Sequence, residues 1–320
     1  MGDVALRVEK IVKQFEKGII WKNHIKAVDE VSFQMNENEV FGLVGESGSG
    51  KTTLLKIIFA LIQPTLGQIL FQGEEITTKD RAVLNRFRKK AQIVFQDPYA
   101  SLNPRKTVKK TLYGAAGMTY QTAVEQDHKV EETMELVGLV PWKRYLARFP
   151  HELSGGERQR VGIARALVTG ATFIGADEPV SNLDVSIRAL ILNLFQKLQS
   201  KLGLTMIFVS HDLAVVRSLS DTVGVMYRGK LVEIARGEEI FLNPIHPYTQ
   251  LLLDSCLLPN PARERMRHPR IETHVGLSRE GQTPGCPFYA RCLRKETVCL
   301  EDQPKLEGVR EGHAVACKLI

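Results

Sequence analysis

The sequence predicts an α/β protein with a helical insertion and a small cysteine-bearing module at its C-terminal end. Short runs of β-branched and aromatic residues, bounded by turn residues, recur through the first 236 residues, as expected for strands. Between about 97 and 168 the apolar residues instead recur at intervals of three and four, which indicates helices. From 237 onward the chain is rich in Pro, Arg and Gly and holds four of the five cysteines.

Nine segments have the composition of strands, and three further segments have helical length and spacing. The predicted strands are 6–15, 31–35, 40–44, 68–71, 92–95, 173–176, 205–209, 223–227 and 231–234. Helices are predicted over 53–62, 161–168 and 248–258. A helical insertion in an α/β core is the simplest arrangement for this order.

The composition, with 43% hydrophobic and 25% charged residues, excludes a disordered chain, collagen and a coiled coil. No apolar run approaches the roughly 18 residues of a membrane span, and the first residues lack a secretory signal. We therefore expect a cytosolic protein without structural disulfides. The net charge is +7, and the sequence has no run of five like charges. Both observations favour a solvated surface over a nucleic-acid groove.

A glycine-rich loop joins the predicted strand 40–44 to the predicted helix 53–62. Its glycines let successive backbone N–H groups point inward, where the helix N-terminus adds positive potential for phosphate. In this pattern Lys51 reaches the β and γ phosphates and Thr52 binds Mg²⁺. The loop predicts a nucleotide site formed by Gly45, Glu46, Ser47, Gly48, Ser49, Gly50, Lys51, Thr52 and Thr53.

Two acidic residues end the predicted strand 173–176. The carboxyl ends of parallel strands meet at one edge of a sheet, so Asp177 and Glu178 are expected beside the glycine-rich loop. Asp177 is predicted to hold Mg²⁺, and Glu178 to polarise the attacking water and accept its proton. By itself such a pair is usually a solvated strand end.

Ser154, Gly155, Gly156 and Glu157 precede the predicted helix 161–168. Ser154 and Glu157 satisfy the S-x-x-E capping box, so a capped helix start is the simplest interpretation. A capping box does not require two adjacent glycines. They leave backbone amides open at the positive end of a helix. A second phosphate contact is therefore predicted here.

The ordered motifs over roughly 4–236 resemble those of the ATP-binding cassette family. The segment from Leu153, L-S-G-G-E-R-Q-R, matches the family's signature, and F-I-G-A-D-E from Phe173 matches its Walker B segment. The resemblance implies a P-loop NTPase (RecA-like) core, an N-terminal antiparallel β subdomain and a helical subdomain at about 97–168.

Four further residues take a role from this resemblance. Gln96 matches the Q-loop residue, which senses Mg²⁺ and water and contacts the membrane subunit. Asp184 matches the D-loop, and His211 matches the switch histidine that contacts the γ-phosphate and the water. Phe15 lies where the family stacks an aromatic ring on adenine, although the apolar strand nearby offers another explanation.

The resemblance also implies how such a chain works. ATP with Mg²⁺ is sandwiched between the glycine-rich loop of one cassette and the Ser154 segment of another, and hydrolysis opens the pair. The implied partners are integral membrane permeases, a solute-binding protein and a second ATPase subunit, either a related chain or a second copy. Nucleic acid is not an expected partner, and the implied location is the cytoplasmic face of the membrane.

The sequence from His246 to Thr249, H-P-Y-T, resembles the start of the C-terminal extension of oligopeptide, dipeptide and nickel importer ATPases. The resemblance implies a cassette over 1–236, an extension over 237–320 and an ATPase that energises peptide import. Two alternatives are a nickel importer ATPase of the same subfamily and a soluble cassette ATPase of DNA repair or translation. A metabolite kinase with a P-loop would leave the signature segment unexplained.

Cys286, Cys292, Cys299 and Cys317 lie in the extension, which has few apolar residues with which to build a core. A metal centre is an expected cross-link where disulfides do not persist. The spacing lacks the C-x₂-C pairs of structural zinc sites, and some peptide importer ATPases carry a similar tail with a [4Fe-4S] cluster. We predict such a cluster, with zinc or uncoordinated thiols as alternatives, and interpret Cys256 as a buried apolar residue.

Overall fold

The computed structural model describes residues 3–17, 23–97, 101–181, 183–255 and 284–320, and its strands form two sheets. The strands are β1 (Val4–Lys17), β2 (Asn23–Asn36), β3 (Val40–Val44), β4 (Leu66–Phe71), β5 (Glu74–Glu75), β6 (Ala91–Val94), β7 (Phe173–Asp177), β8 (Thr205–Ser210), β9 (Thr222–Tyr227), β10 (Lys230–Arg236), β11 (Glu307–Arg310) and β12 (His313–Val315). The helices are α1 (Lys51–Ile58), α2 (Arg81–Lys90), α3 (Val108–Ala116), α4 (Ala123–Leu136), α5 (Lys143–Leu146), α6 (Gly155–Leu167), α7 (Val185–Leu202), α8 (Leu213–Leu219), α9 (Gly237–Leu242) and α10 (Pro247–Ser255).

The larger sheet has the strand order β11-β12-β10-β9-β3-β8-β7-β6. Its five strands from β9 to β6 run parallel, and every residue of β3, β7 and β8 is buried. Burial on both faces is expected of parallel strands that are covered by helices. Because parallel strands end at the same edge, the residues that follow β3, β7 and β8 are brought together there.

Two clusters of buried apolar side chains hold the layers together. One includes Ile11 of the smaller sheet, Phe41 of the larger sheet and Leu54 of α1. The smaller sheet is antiparallel, with the order β2-β1-β4-β5. The other cluster includes Met134 of α4 and Ile163 of α6, and it packs the helical insertion on the core. Among the described helices, none is both long and apolar enough to cross a membrane.

The predicted α/β fold is confirmed, together with its antiparallel β subdomain and helical insertion. All nine predicted strands are present, and α3 to α6 occupy the predicted helical region. The helix predicted over 53–62 instead spans Lys51–Ile58, because Ala60 adopts a positive φ of 50° and the helix cannot continue through it. The sequence reasoning missed α2, α7, α8 and α9 and the short strands β5, β11 and β12.

The C-terminal extension packs on the larger sheet and shares its core. Strand β12 pairs with β10, and the Phe288 ring lies 5.3 Å from that of Tyr227 and 5.5 Å from that of Tyr248. Buried Glu233 of β10 pairs with buried His313 of β12 at 2.8 Å. The predicted helix 248–258 is present as α10, whereas its end and Cys256 lie outside the described residues.

Candidate nucleotide-binding site

The glycine-rich loop connects β3 to α1 in a shape that requires glycine. Gly50 precedes the helix at φ 105°, and a Cβ atom there would lie 2.2 Å from the carbonyl oxygen of Ala27. A Cβ on Gly45 would lie 2.1 Å from the carbonyl oxygen of Met226. No side chain caps the N-terminus of α1, so its first amides are open toward the cleft.

Lys51 is held across this loop. Its Nζ donates hydrogen bonds to the carbonyl oxygens of Gly45 at 2.7 Å and Glu46 at 2.9 Å, and its side chain is buried. Burial lowers the pKa of the Lys51 ammonium, although the carboxylates of Glu178 and Asp177 act in the opposite direction. The ammonium therefore lies where phosphate oxygens can replace the two carbonyls as acceptors.

The end of β7 places a carboxylate beside α1. The hydroxyl of Thr52 donates to Oδ1 of Asp177 at 2.9 Å. Burial raises the pKa of Asp177, and the charge of Glu178 adds to the increase, while the bond from Thr52 opposes it. A buried carboxylate next to a second one favours a cation, and oxygen donors of this kind suit Mg²⁺. The residues present therefore fit that ion.

Glu178 and His211 form a pair at the same edge. Nδ1 of His211 lies 2.9 Å from Oε2 of Glu178, and the Glu178 side chain is 17% exposed against 57% for His211. Glu178 has a positive φ of 44°, and its N–H donates to the carbonyl oxygen of Val209 at 3.0 Å. This arrangement fixes a carboxylate at the mouth of the cleft with an imidazole in contact with it.

These groups surround a cleft of about 520 Å³, which is the size of a site for a small ligand. The hydroxyl oxygen of Ser49, within the loop, is buried and has no hydrogen-bond partner in the described ranges. The open amides of the loop and the ammonium held beside them fit the phosphates of a nucleotide. The residues that line the cleft are Ala27, Ser47, Gly48, Gly50, Lys51, Thr52, Thr53, Gln96, Glu178 and His211.

Phe15 is not among the lining residues. It lies on β1 with 43% of its surface exposed, and Nζ of Lys13 lies 5.2 Å from the centre of its ring. Adenine stacking on Phe15 stays a prediction. Sequence reasoning missed Ala27, because a small apolar side chain carries no chemical signal.

The Ser154 segment begins α6 and is not among the residues that line the cleft of its own chain. The N–H of Ser154 donates to Glu157 at 2.8 Å and the hydroxyl of Ser154 accepts from the N–H of Glu157 at 3.3 Å, which completes the capping box. Ser154 and Gly155 are exposed, and Gly156 is partly so. Asp184 is also exposed, and it precedes α7 without a side-chain capping bond. The resemblance assigns the Ser154 segment to the nucleotide of a second cassette and Asp184 to the D-loop. Neither lines the cleft of this chain, and both roles stay predictions.

The comparisons with known proteins agree with this geometry. A family model described as "ABC transporter" matches residues 28–181, and one described as "Oligopeptide/dipeptide transporter, C-terminal region" matches residues 232–299. The oligopeptide transport ATP-binding protein AppF of Bacillus subtilis is 46% identical over 92% of this chain and 90% of its own length. This chain belongs to the ATP-binding cassette transporter family.

Other relatives of this cassette have similar lengths. A putative oligopeptide transport ATP-binding protein, YkfD of Bacillus subtilis, is 43% identical over 98% of this chain and 95% of its own length. The oligopeptide transport ATP-binding protein OppF of Streptococcus mutans is 48% identical over 88% and 92%. Because members of this family are ATPases, the cassette is an ATPase, and its nucleotide and metal ion are ATP and Mg²⁺.

Two solved structures resemble the cassette. One is the dimeric post-hydrolysis state of the ATP-binding cassette MJ0796 bound to ADP and Pi, with a TM-score of 0.65 and 28% identity over 72% of this chain and 98% of that one. The other is cbiO1 from Clostridium perfringens, part of the transporter complex cbiONQ, with the same score and identity over 75% and 92%. The cassette fold predicted from the motifs is thereby confirmed.

The four cysteines of the extension converge on one small cavity. Cys286, Cys292, Cys299 and Cys317 all line a space of about 20 Å³, and all four are free of disulfide bonds. Burial raises the pKa of the thiols of Cys286 and Cys317. Nevertheless, across the described ranges no three side chains of His, Cys, Asp or Glu are arranged so that they could hold a metal ion. The side-chain arrangement thus gives the predicted iron–sulfur cluster no support as a formed metal site.

Proposed function

We propose that this cassette hydrolyses ATP to drive the import of peptides through integral membrane permeases. The observation that carries the proposal is the extension, which matches the C-terminal region of oligopeptide and dipeptide transporters. Relatives that match almost the whole chain are named for oligopeptide transport. The proposal includes a division into a cassette over 1–236 and an extension over 237–320, and a peripheral location at the cytoplasmic face of the membrane.

The proposed chemistry uses the residues at the edge of the larger sheet. The loop amides and Lys51 bind the phosphates, and Thr52, Asp177 and Gln96 hold the metal ion. Bound Mg²⁺ neutralises charge on the β and γ phosphates. Glu178 orients the attacking water and accepts its proton, and the bond from His211 keeps its carboxylate in place.

The Ser154 segment and Asp184 serve a second cassette. Both are exposed at helix N-termini and absent from the cleft of their own chain, so they are placed to contact a nucleotide bound by a neighbour. We propose a related ATPase chain as that neighbour, with a second copy of this chain as the other arrangement. A solute-binding protein completes the proposed transporter.

Uptake by a reconstituted transporter tests this function. Proteoliposomes that contain the cassette, its permeases and the second ATPase should accumulate oligopeptide when ATP is present on the cassette side. Replacement of Lys51 by Met should abolish uptake, whereas Lys89→Met, at an exposed position of α2, should not. Uptake of nickel without peptide would replace the proposal with the alternative importer. Co-purification with nucleic acid in place of permeases would exclude both importers.

Removal of the Thr52 hydroxyl should raise the Mg²⁺ concentration needed for half-maximal ATP hydrolysis. We expect Thr52→Val to raise it about 10- to 100-fold, because the metal loses one oxygen ligand and Asp177 loses its hydrogen-bond donor. Thr52→Ser keeps the hydroxyl and should behave as the wild type. A titration of ATPase rate against Mg²⁺ gives the comparison, and equal Mg²⁺ requirements in the two variants would refute the assignment.

We also propose that the four cysteines of the extension bind a [4Fe-4S] cluster with a structural role. The proposal rests on the number of cysteines, four free thiols that line one cavity, and on their place in an extension without a core of its own. Protein purified without oxygen should contain about four irons per chain. Cys292→Ser should lose the iron, while Cys256→Ser should retain it. One zinc ion per chain without iron would contradict the cluster.

A further inference from the structure

The C-terminal extension reaches into the phosphate-binding loop at Glu46. The guanidinium of Arg291 donates to both carboxylate oxygens of Glu46, from Nη1 to Oε2 at 2.9 Å and from Nη2 to Oε1 at 2.8 Å. The hydroxyl oxygen of Tyr248 accepts a hydrogen bond from the N–H of Glu46 at 2.9 Å. Two side chains more than two hundred residues away in sequence therefore hold one loop residue from two sides.

The same loop residue holds the nucleotide-binding groups. The carbonyl oxygen of Glu46 accepts hydrogen bonds from Nζ of Lys51 at 2.9 Å and from the N–H of Ser49 at 3.2 Å. A displacement of Glu46 would therefore move a hydrogen-bond acceptor of the Lys51 ammonium. It would also change the turn that orients the backbone amides of the loop. The extension is therefore connected to the groups proposed to bind phosphate through a single residue, Glu46.

Arg291 is itself firmly placed. It ends the 3₁₀ turn Tyr289–Arg291, and its guanidinium carbon lies 5.9 Å from the ring centre of Tyr227 and 5.7 Å from that of Phe288. The hydrogen bond to Glu46 raises the pKa of the Arg291 guanidinium. A bidentate pair on an aromatic surface loses less conformational entropy than an ordinary surface pair.

The cysteine segment supports this turn. The N–H of Cys286 donates to the carbonyl oxygen of Cys299 at 2.7 Å, and the N–H of Cys292 donates to that of Tyr289 at 3.2 Å. The turn that carries Arg291 is therefore framed by three of the four cysteines. Its shape depends on how this segment is folded.

We propose that Arg291 is a positioning residue of the ATPase, which fixes Glu46 and so sets the affinity of the phosphate-binding loop for nucleotide. The inference rests on the proposed function, in which this loop binds ATP. The C-terminal extension is then part of the nucleotide site. A simpler interpretation is that the pair only fastens the extension to the cassette, and the two interpretations differ in their effect on KM.

The test is ATP hydrolysis by the assembled transporter at varied ATP concentration. Arg291→Ala should raise the KM for ATP about 5- to 20-fold and change kcat little, the loss being smaller than for a fully buried charged hydrogen bond. Arg294→Ala is the matched control, because Arg294 lies on the same segment and bonds Gln250 of α10 at 3.1 Å instead of Glu46. Its KM should equal that of the wild type.

A double-mutant cycle separates positioning from stability. Glu46→Ala should raise the KM for ATP as Arg291→Ala does. The KM of the double variant should be no higher than the higher of the two single-variant values, because both changes remove the same contact. Glu46→Ala leaves the extension intact, so it gives the answer even where Arg291→Ala lowers the yield of folded protein. An unchanged KM in either single variant, or an equal rise in Arg294→Ala, would overturn the inference. Absence of ATP hydrolysis by the wild-type transporter would instead refute the proposed function.

Discussion

Replacement of Glu178 by Gln is expected to slow ATP hydrolysis by about 10²- to 10⁴-fold while ATP binding is retained. The amide keeps the size of the side chain and can still bond His211, but it cannot accept a proton from water. Glu178 is proposed to act on the attacking water and not as a phosphate ligand, so the affinity for ATP should change little. In the proposed mechanism hydrolysis opens the closed pair of cassettes, so the variant should accumulate in the closed state when ATP is present.

Single-turnover hydrolysis and equilibrium binding of ATP measure the two halves of this prediction. Glu135→Gln is the matched control, since it makes the same change at an exposed position of α4. The control should keep the rate and the affinity of the wild type. A Glu178→Gln transporter that hydrolyses ATP at the wild-type rate would remove Glu178 as the general base.

Replacement of Gly155 by Asp is expected to lower ATP turnover by about 10²- to 10³-fold, the usual effect of losing a preorganised contact to developing charge. The substitution should not harm the fold, because a Cβ atom at this position meets only Cδ2 of Leu183, at an ordinary contact distance of 3.7 Å. Asp is also favourable in the first turn of a helix. The new carboxylate would instead repel the phosphates of a nucleotide bound by the neighbouring cassette.

Turnover by the assembled transporter and ATP binding by the purified chain distinguish a defect between chains from one within a chain. Binding by the chain should be unaffected, because Gly155 does not line its own cleft. Gly114→Asp is the control, at an exposed helical position where a Cβ atom meets nothing within 4 Å. Loss of ATP binding by the purified Gly155→Asp chain would show that the segment belongs to its own cleft.

The candidate nucleotide-binding site could be predicted from the sequence because its residues lie close together along the chain. The loop from Gly45 to Thr52 carries its own turn, helix and cation, and strand patterns alone place Asp177 at the same edge of a parallel sheet. Helix α7 was missed because only four of its 18 residues are buried, which leaves a weak apolar pattern in the sequence. The short strands β11 and β12 have too few residues for a period to emerge.

Contacts between distant segments could not be predicted in this way. Nothing in the spacing around Arg291 indicates that it meets Glu46, because the two residues are 245 positions apart and come together only in the folded chain. Tyr248 was recognised as part of a motif, but the motif does not identify the loop amide that it binds. The interface between two cassettes could not be predicted from one chain either. The exposed Ser154 segment shows which surface is available, but not which surface of a partner covers it.

A structure of the assembled Glu178→Gln transporter with ATP and Mg²⁺ would test most directly whether ATP is held at the interface of two cassettes. We expect the γ-phosphate to lie against Lys51 of one cassette and against the backbone amides of Gly155 and Gly156, or of the equivalent segment, from the other. A nucleotide enclosed by one chain, with the Ser154 segment of both cassettes turned toward solvent, would contradict it.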